Sequence, residues 1–118
     1  MAVQRLHIQK RYSEIAISGN LVHLAGQLAE DTQQDIVGQT QQTLALIDRL
    51  LADAGTDKSH IMSVMIFLKN IERDYAAMNQ VWDAWVADIQ ALPRTCVEAK
   101  LYHPDVLVEM TVVAVKPE

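Results

Sequence analysis

Apolar and polar residues alternate over several short runs near the start of the chain, then recur at three- and four-residue steps over two longer ones. Arg5 to Gln9, with Leu6 and Ile8, reads as a short first strand. Tyr12 to Ile17 and Leu21 to Ala25 flank Ser18-Gly19-Asn20, and a Gly-Asn pair between apolar runs marks a tight hairpin because glycine accepts positive φ. Gly26 and Gln27 end the third strand, and the polar segment Glu30 to Asp35 leads into a helix with Asp31 or Asp35 as N-cap. From Ile36 to Ala54, the residues Val37, Leu44, Ile47, Leu51 and Ala54 fall on one side of that helix, which Gly55 stops. Ile61 to Leu68 is apolar at nearly every position, as in a strand covered on both faces. A second helix, about Glu72 to Ile89, gathers Tyr75, Met78, Trp82, Trp85 and Ile89 on one side, and Pro93 closes it. Thr95 to Leu101 and Leu107 to Val115 are strand-like, and the turn signal Tyr102-His103-Pro104-Asp105 between them predicts neighbouring strands of one hairpin.

The predicted order is β-β-β-α-β-α-β-β, an α+β domain spanning residues 1–118 in which two helices cover one face of one sheet. Two helices cannot cover both faces. The other face is also apolar, which predicts burial against further copies in a closed, symmetric oligomer.

Composition narrows the class rather than the fold. No run approaches the roughly 18 apolar residues of a membrane helix, and no apolar signal region opens the chain, so a cytoplasmic protein without a membrane partner is expected. The single cysteine, Cys96, leaves no internal disulfide and no cysteine-based metal cluster. A net charge of −5 makes nucleic acid an improbable partner, since backbone binding needs a basic face.

Chemistry concentrates between Leu92 and Glu109. If an extended run begins by Arg94, then Arg94, Cys96 and Glu98 share one face, a polar set where core is expected. A planar guanidinium takes a carboxylate bidentately, fixing orientation as well as charge. A lone cysteine in a strand is more often a small buried hydrophobe than a nucleophile, and no neighbouring histidine is present to activate it, so Cys96 reads as lining. Glu98 reads as structural, with a bridge to another chain as one role. His7, His23, His60 and His103 lack metal-ligand spacing.

Three blocks resemble the RidA/YjgF family across nearly the whole length: Gly19 through Gln27, Gln39-Thr40 through Met78-Asn79, and Pro93-Arg94-Thr95-Cys96-Val97-Glu98 with the distal Glu109. The resemblance implies a chorismate-mutase-like fold, a homotrimer with pockets between subunits, and hydrolysis of reactive 2-imino and enamine acids such as 2-aminoacrylate to 2-keto acids and ammonia. It implies that Arg94 holds the substrate carboxylate, that Cys96 lines the pocket beside the imine and that Glu109 positions the attacking water. Tyr12 would close the site from a neighbouring chain, and Gly26 would sit by the pocket. Imine hydrolysis needs no metal, and no cofactor is expected. Lys10-Arg11, Ala25 and a short Leu28 to Asp35 segment depart from many deaminating members, and Tyr75 to Val86 is similar to a short-looped YoaB-like branch. Two other functions stay open: a non-catalytic binding module for small 2-keto or 2-amino acids, and a ribonuclease or translation inhibitor.

Overall fold

The computed structural model describes residues 2–117. Six strands form one mixed sheet with two helices. They are β1 (Gln4–Ile8), β2 (Ser13–Ser18), β3 (Leu21–Gln27), β4 (Ile61–Leu68), β5 (Arg94–Glu98) and β6 (Val108–Val115), with α1 (Ile36–Asp53) between β3 and β4 and α2 (Ile71–Trp85) between β4 and β5. The predicted element order is the one observed. Gly19, at φ 60°, takes the first position of the β2–β3 turn, and Asp35 is the N-cap of α1, accepting from the Gly38 amide at 2.9 Å. Gly55, at φ 86°, follows the Ala54 C-cap. There the Gly55 amide bonds Ala52 O and the Thr56 amide bonds Leu51 O, the paired reversal that satisfies the last helical carbonyls.

Strand order across the sheet is β1-β2-β3-β6-β4-β5. This corrects the expected final hairpin. β5 lies parallel to β4, with Arg94 beside Val64 and Glu98 beside Leu68, while β6 runs antiparallel between β3 and β4. The 102–105 turn reverses the chain as expected, but the two strands it joins are separated by β4. α2 is also shorter than predicted: Val86 caps it, so Ile89 falls beyond its end.

The core lies between the helices and one sheet face. Ile15, Ile47, Leu51, Ile66, Leu68, Met78 and Met110 are fully buried there, the alternation in β6 being the cleanest, with Val108, Met110, Val112 and Ala114 inward. β4 carries a register shift between Ile61 and Ser63, so Ile61 joins Val64, Ile66 and Leu68 inside while Met62 is 55% exposed. That bulge puts Ile61 on the face of Val64, where simple alternation would put Met62. The expectation that β4 is covered on both faces does not hold within one chain, since Met65 and Phe67 are only half-buried on the open face.

α1 has a buried polar entry that the apolar pattern missed. Gln39, Thr40 and Thr43 are fully buried, the threonines bonding back to Ile36 O and Gln39 O. The Gln39 side chain donates to Thr32 O, Gln34 O and Asp105 O and accepts from the Leu107 amide. One amide thereby ties the loop before α1 to the loop before β6.

Candidate functional site

Arg94 opens β5 and turns toward α2. Its Nη2 donates to Asn79 Oδ1 at 2.6 Å and lies 3.4 Å from the Tyr75 hydroxyl, and Nη1 approaches Met78 Sδ at 3.9 Å. The guanidinium also lies 5.1 Å from the Trp82 ring centroid and 5.9 Å from that of Tyr75. Cys96 and Glu98 share this helix-covered face, as predicted, because they sit beside the buried Ile66 and Leu68. Cys96 packs against the core, and that burial pushes its thiol pKa up, with the nearby Arg94 charge opposing. Glu98 accepts from the Ile71 amide at 3.1 Å, supporting the start of α2 within its own chain.

Glu109 stands on the opposite face. It alternates with the buried Val108 and Met110 and lies beside Phe67 of β4, so Arg94 and Glu109 do not meet within one chain. Glu109 instead lies against Gly26. A β-carbon at position 26 would overlap the Glu109 carboxylate, so a larger residue there would push that side chain aside. The approach is made by a register shift in β3 between Leu24 and Gln27. Burial raises the Glu109 pKa above the ordinary 4.5, because partial removal from water disfavours the charged form.

Tyr12, Gly26 and Glu109 line one cleft of about 810 Å³, with His7, Glu14, Ala25, Gln27, Asp53 and Tyr102 among the other walls. Gln27 donates to Glu14 Oε2 at 2.5 Å, and His7, in the left-handed region at φ 53°, reaches Asp53 at 3.0 Å. The residues named from sequence therefore divide in two: Tyr12, Gly26 and Glu109 in the cleft, Arg94 and Cys96 across the sheet at its β5 edge. Three of the four α2 residues around Arg94, namely Tyr75, Met78 and Trp82, were visible in the sequence as a helical stripe, and Asn79 was not among them. Nothing marked that stripe as a cradle for a cation. Among the described residues no cluster of His, Cys, Asp or Glu is arranged to hold a metal ion, and no helix is long and apolar enough to cross a membrane.

The family model described as Endoribonuclease L-PSP matches residues 3–116. A RutC family protein from Haemophilus influenzae is 44% identical over 97% of this chain and 98% of its own. The chain belongs to the RidA/YjgF family. Within the RidA/YjgF family, the RutC family protein YoaB of Escherichia coli K12 is 39% identical over 97% of this chain and 98% of its own. A crystal structure of a YjgF family member from Neisseria meningitidis superposes with a TM-score of 0.95 at 41% identity, covering 100% of this chain and 98% of that one. The chorismate-mutase-like fold that the resemblance implied is thus the fold of this RidA/YjgF chain. A more distant relative, from Acinetobacter baylyi, is named 3-aminoacrylate deaminase RutC and is 33% identical over 80% of this chain and 79% of its own.

Proposed function

We propose that this protein hydrolyses reactive 2-imino and enamine acids to 2-keto acids and ammonia, in pockets formed between the subunits of a homotrimer. The observation that carries the reading is the division of the site. A guanidinium that has no carboxylate partner among the described residues and a carboxylate with a raised pKa stand on opposite faces of one sheet. A second copy seated on the half-buried Met65, Phe67, Val97 and Val113 face brings one chain's Glu109 to another chain's Arg94 edge, and covers apolar surface in doing so.

The chemistry suits these groups. Arg94 takes the substrate carboxylate in a two-pronged contact. Glu109 accepts a proton from water as the oxygen bonds to the imine carbon, giving a tetrahedral carbinolamine. The same proton passes to nitrogen; the hydroxyl proton, carried by Glu109, then follows it as the carbon–oxygen double bond forms and the carbon–nitrogen bond breaks, and ammonia leaves the 2-keto acid. An enamine first takes a proton at its terminal carbon and gives one up from nitrogen to become the imine. A carboxylate base supplies roughly 10²–10⁴-fold, and holding water beside the bound imine supplies the remainder. The name of one relative, 3-aminoacrylate deaminase, describes deamination of an enamine acid of this class.

A second reading is a binding module for small 2-keto or 2-amino acids. It is favoured by Ala25, a residue of the cleft wall at which the chain departs from many deaminating members of the family. Turnover separates the two. Release of 2-keto acid from freshly generated 2-aminoacrylate, in competition with semicarbazide, is expected to accelerate with the wild type and not with Arg94→Ala. Equal rates for wild type and buffer across several imino acids would discard the enzyme and leave the binding module. A ribonuclease reading is the weakest, given the net charge of −5.

A further inference from the structure

Among the described residues Arg94 has no carboxylate partner, yet its guanidinium is enclosed by one face of α2. Tyr75, Met78, Asn79 and Trp82 are spaced three, four and seven residues apart, so they form one stripe along the helix. Trp82 is only 4% exposed and its ring is braced by Trp85, 5.3 Å away between centroids. Trp85 is itself tied to Asp48 of α1 at 3.0 Å. The Trp82 ring is therefore fixed by the core rather than by the arginine.

We propose that Trp82, assisted by Tyr75, is the positioning residue that sets the plane of the Arg94 guanidinium for a substrate carboxylate. The inference rests on the carboxylate-binding role given to Arg94 above. An aromatic face attracts the cation through its flat side and consumes none of its in-plane N–H donors. Asn79 takes one of those donors strongly, and the sulfur and phenol contacts are long. A fork of N–H groups thus remains to receive two carboxylate oxygens. A carboxylate side chain in place of the rings would hold the arginine as firmly and occupy that fork. The neutral cradle steadies the cation while leaving its anion-binding edge open.

The test compares wild type, Trp82→Phe, Trp82→Leu, Tyr75→Leu and Arg94→Ala by steady-state hydrolysis of imino acids and by the inhibition constant of 2-oxobutanoate. Trp82→Leu is expected to raise both KM and the inhibition constant about tenfold, the loss of a partly desolvated cation–π contact, with kcat within about threefold. Trp82→Phe, which keeps a ring, recovers most of that loss. A folded Trp82→Leu protein with unchanged KM and inhibition constant overturns the proposal, since a purely structural tryptophan would lower the melting temperature alone. If Trp82→Leu does not fold, the partly exposed Tyr75 decides: Tyr75→Leu is expected to raise both constants about threefold, and unchanged constants overturn the proposal. A wild type that binds 2-oxobutanoate without turnover discards the deaminase only. The dissociation constant of 2-oxobutanoate across the same variants then replaces KM, with the same shifts expected and the same overturning result. A wild type that does neither overturns both readings.

Discussion

The Glu109 carboxylate lies against the bare backbone of Gly26, where an added β-carbon would come within 3.0 Å of the carboxyl carbon. Gly26 does not adopt positive φ, so alanine fits the backbone there but not the space. Gly26→Ala is expected to fold with little change in melting temperature and to turn Glu109 away, lowering kcat about 10²-fold, within the range of a lost general base. Keto-acid release with a melting curve on the same sample checks it. An unchanged kcat would mean that the position of Glu109 is not critical.

The raised Glu109 pKa sets the acid limb of the rate profile. The base works unprotonated, so kcat/KM falls tenfold per pH unit below a pKa that lies above the ordinary carboxylate value. Glu109→Gln removes this limb along with about 10²–10⁴-fold of rate. Stability runs the other way. The native pKa exceeds the unfolded one, so the native state binds more protons and stability is lost as pH rises through the native value. Glu109→Gln, which never ionises, should melt up to about 4 °C higher than wild type at neutral pH. An equal or lower melting temperature argues against the burial penalty.

Arg94→Lys keeps the charge and loses both the fork and the flat surface that faces Trp82 and Tyr75. KM for an imino acid is expected to rise about 10–100-fold, approaching the value for Arg94→Ala. Kinetics of the lysine variant near wild type would show that charge alone suffices.

Cys96 is held as a thiol by burial. Cys96→Ser should retain kcat within about threefold, and alkylation of the native protein by iodoacetamide at neutral pH should be slower than that of a free thiol with its pKa of roughly 8.5. Loss of all turnover in the serine variant would assign the sulfur a chemical step.

Gln39→Leu should cost about 2–4 kcal/mol in urea unfolding, because it removes the part-buried bonds by which one fully buried amide holds the Leu107 amide and three loop carbonyls. A loss below about 1 kcal/mol would show that the two loops are held by other contacts.

Local signals in the sequence carried far. Asp35, Gly55, the Gly19 turn and the Ile61–Leu68 run each act through neighbours within a few residues, and each element lies where the residues place it. What escaped was long-range. The turn at Tyr102 to Asp105 says that the chain reverses, not which strand receives it, and β4 inserts between β5 and β6. Bulges at Met62 and before Gln27 shift parity by one residue, which no alternation count foresees. Arg94 and Glu109 were named together from a motif, and they stand on opposite faces because Arg94 lies beside the inward Val64 while Glu109 alternates with the inward Val108 and Met110. The cradle around Arg94 was hidden because Tyr75, Met78 and Trp82 have the spacing of ordinary core.

The central place of β6 governs how the polypeptide comes into being. It is the last of the described elements to leave the ribosome, yet it joins β3 to β4, and without it the sheet falls into two fragments with unsatisfied edges. In chains lacking it, chiefly the packing of α1 on α2 and β3 links the two fragments, and the inward Val108, Met110, Val112 and Ala114 are missing from the core. Folding therefore waits on synthesis of the final strand, and a message truncated before Val108 yields material for proteolysis, not a weakened protein.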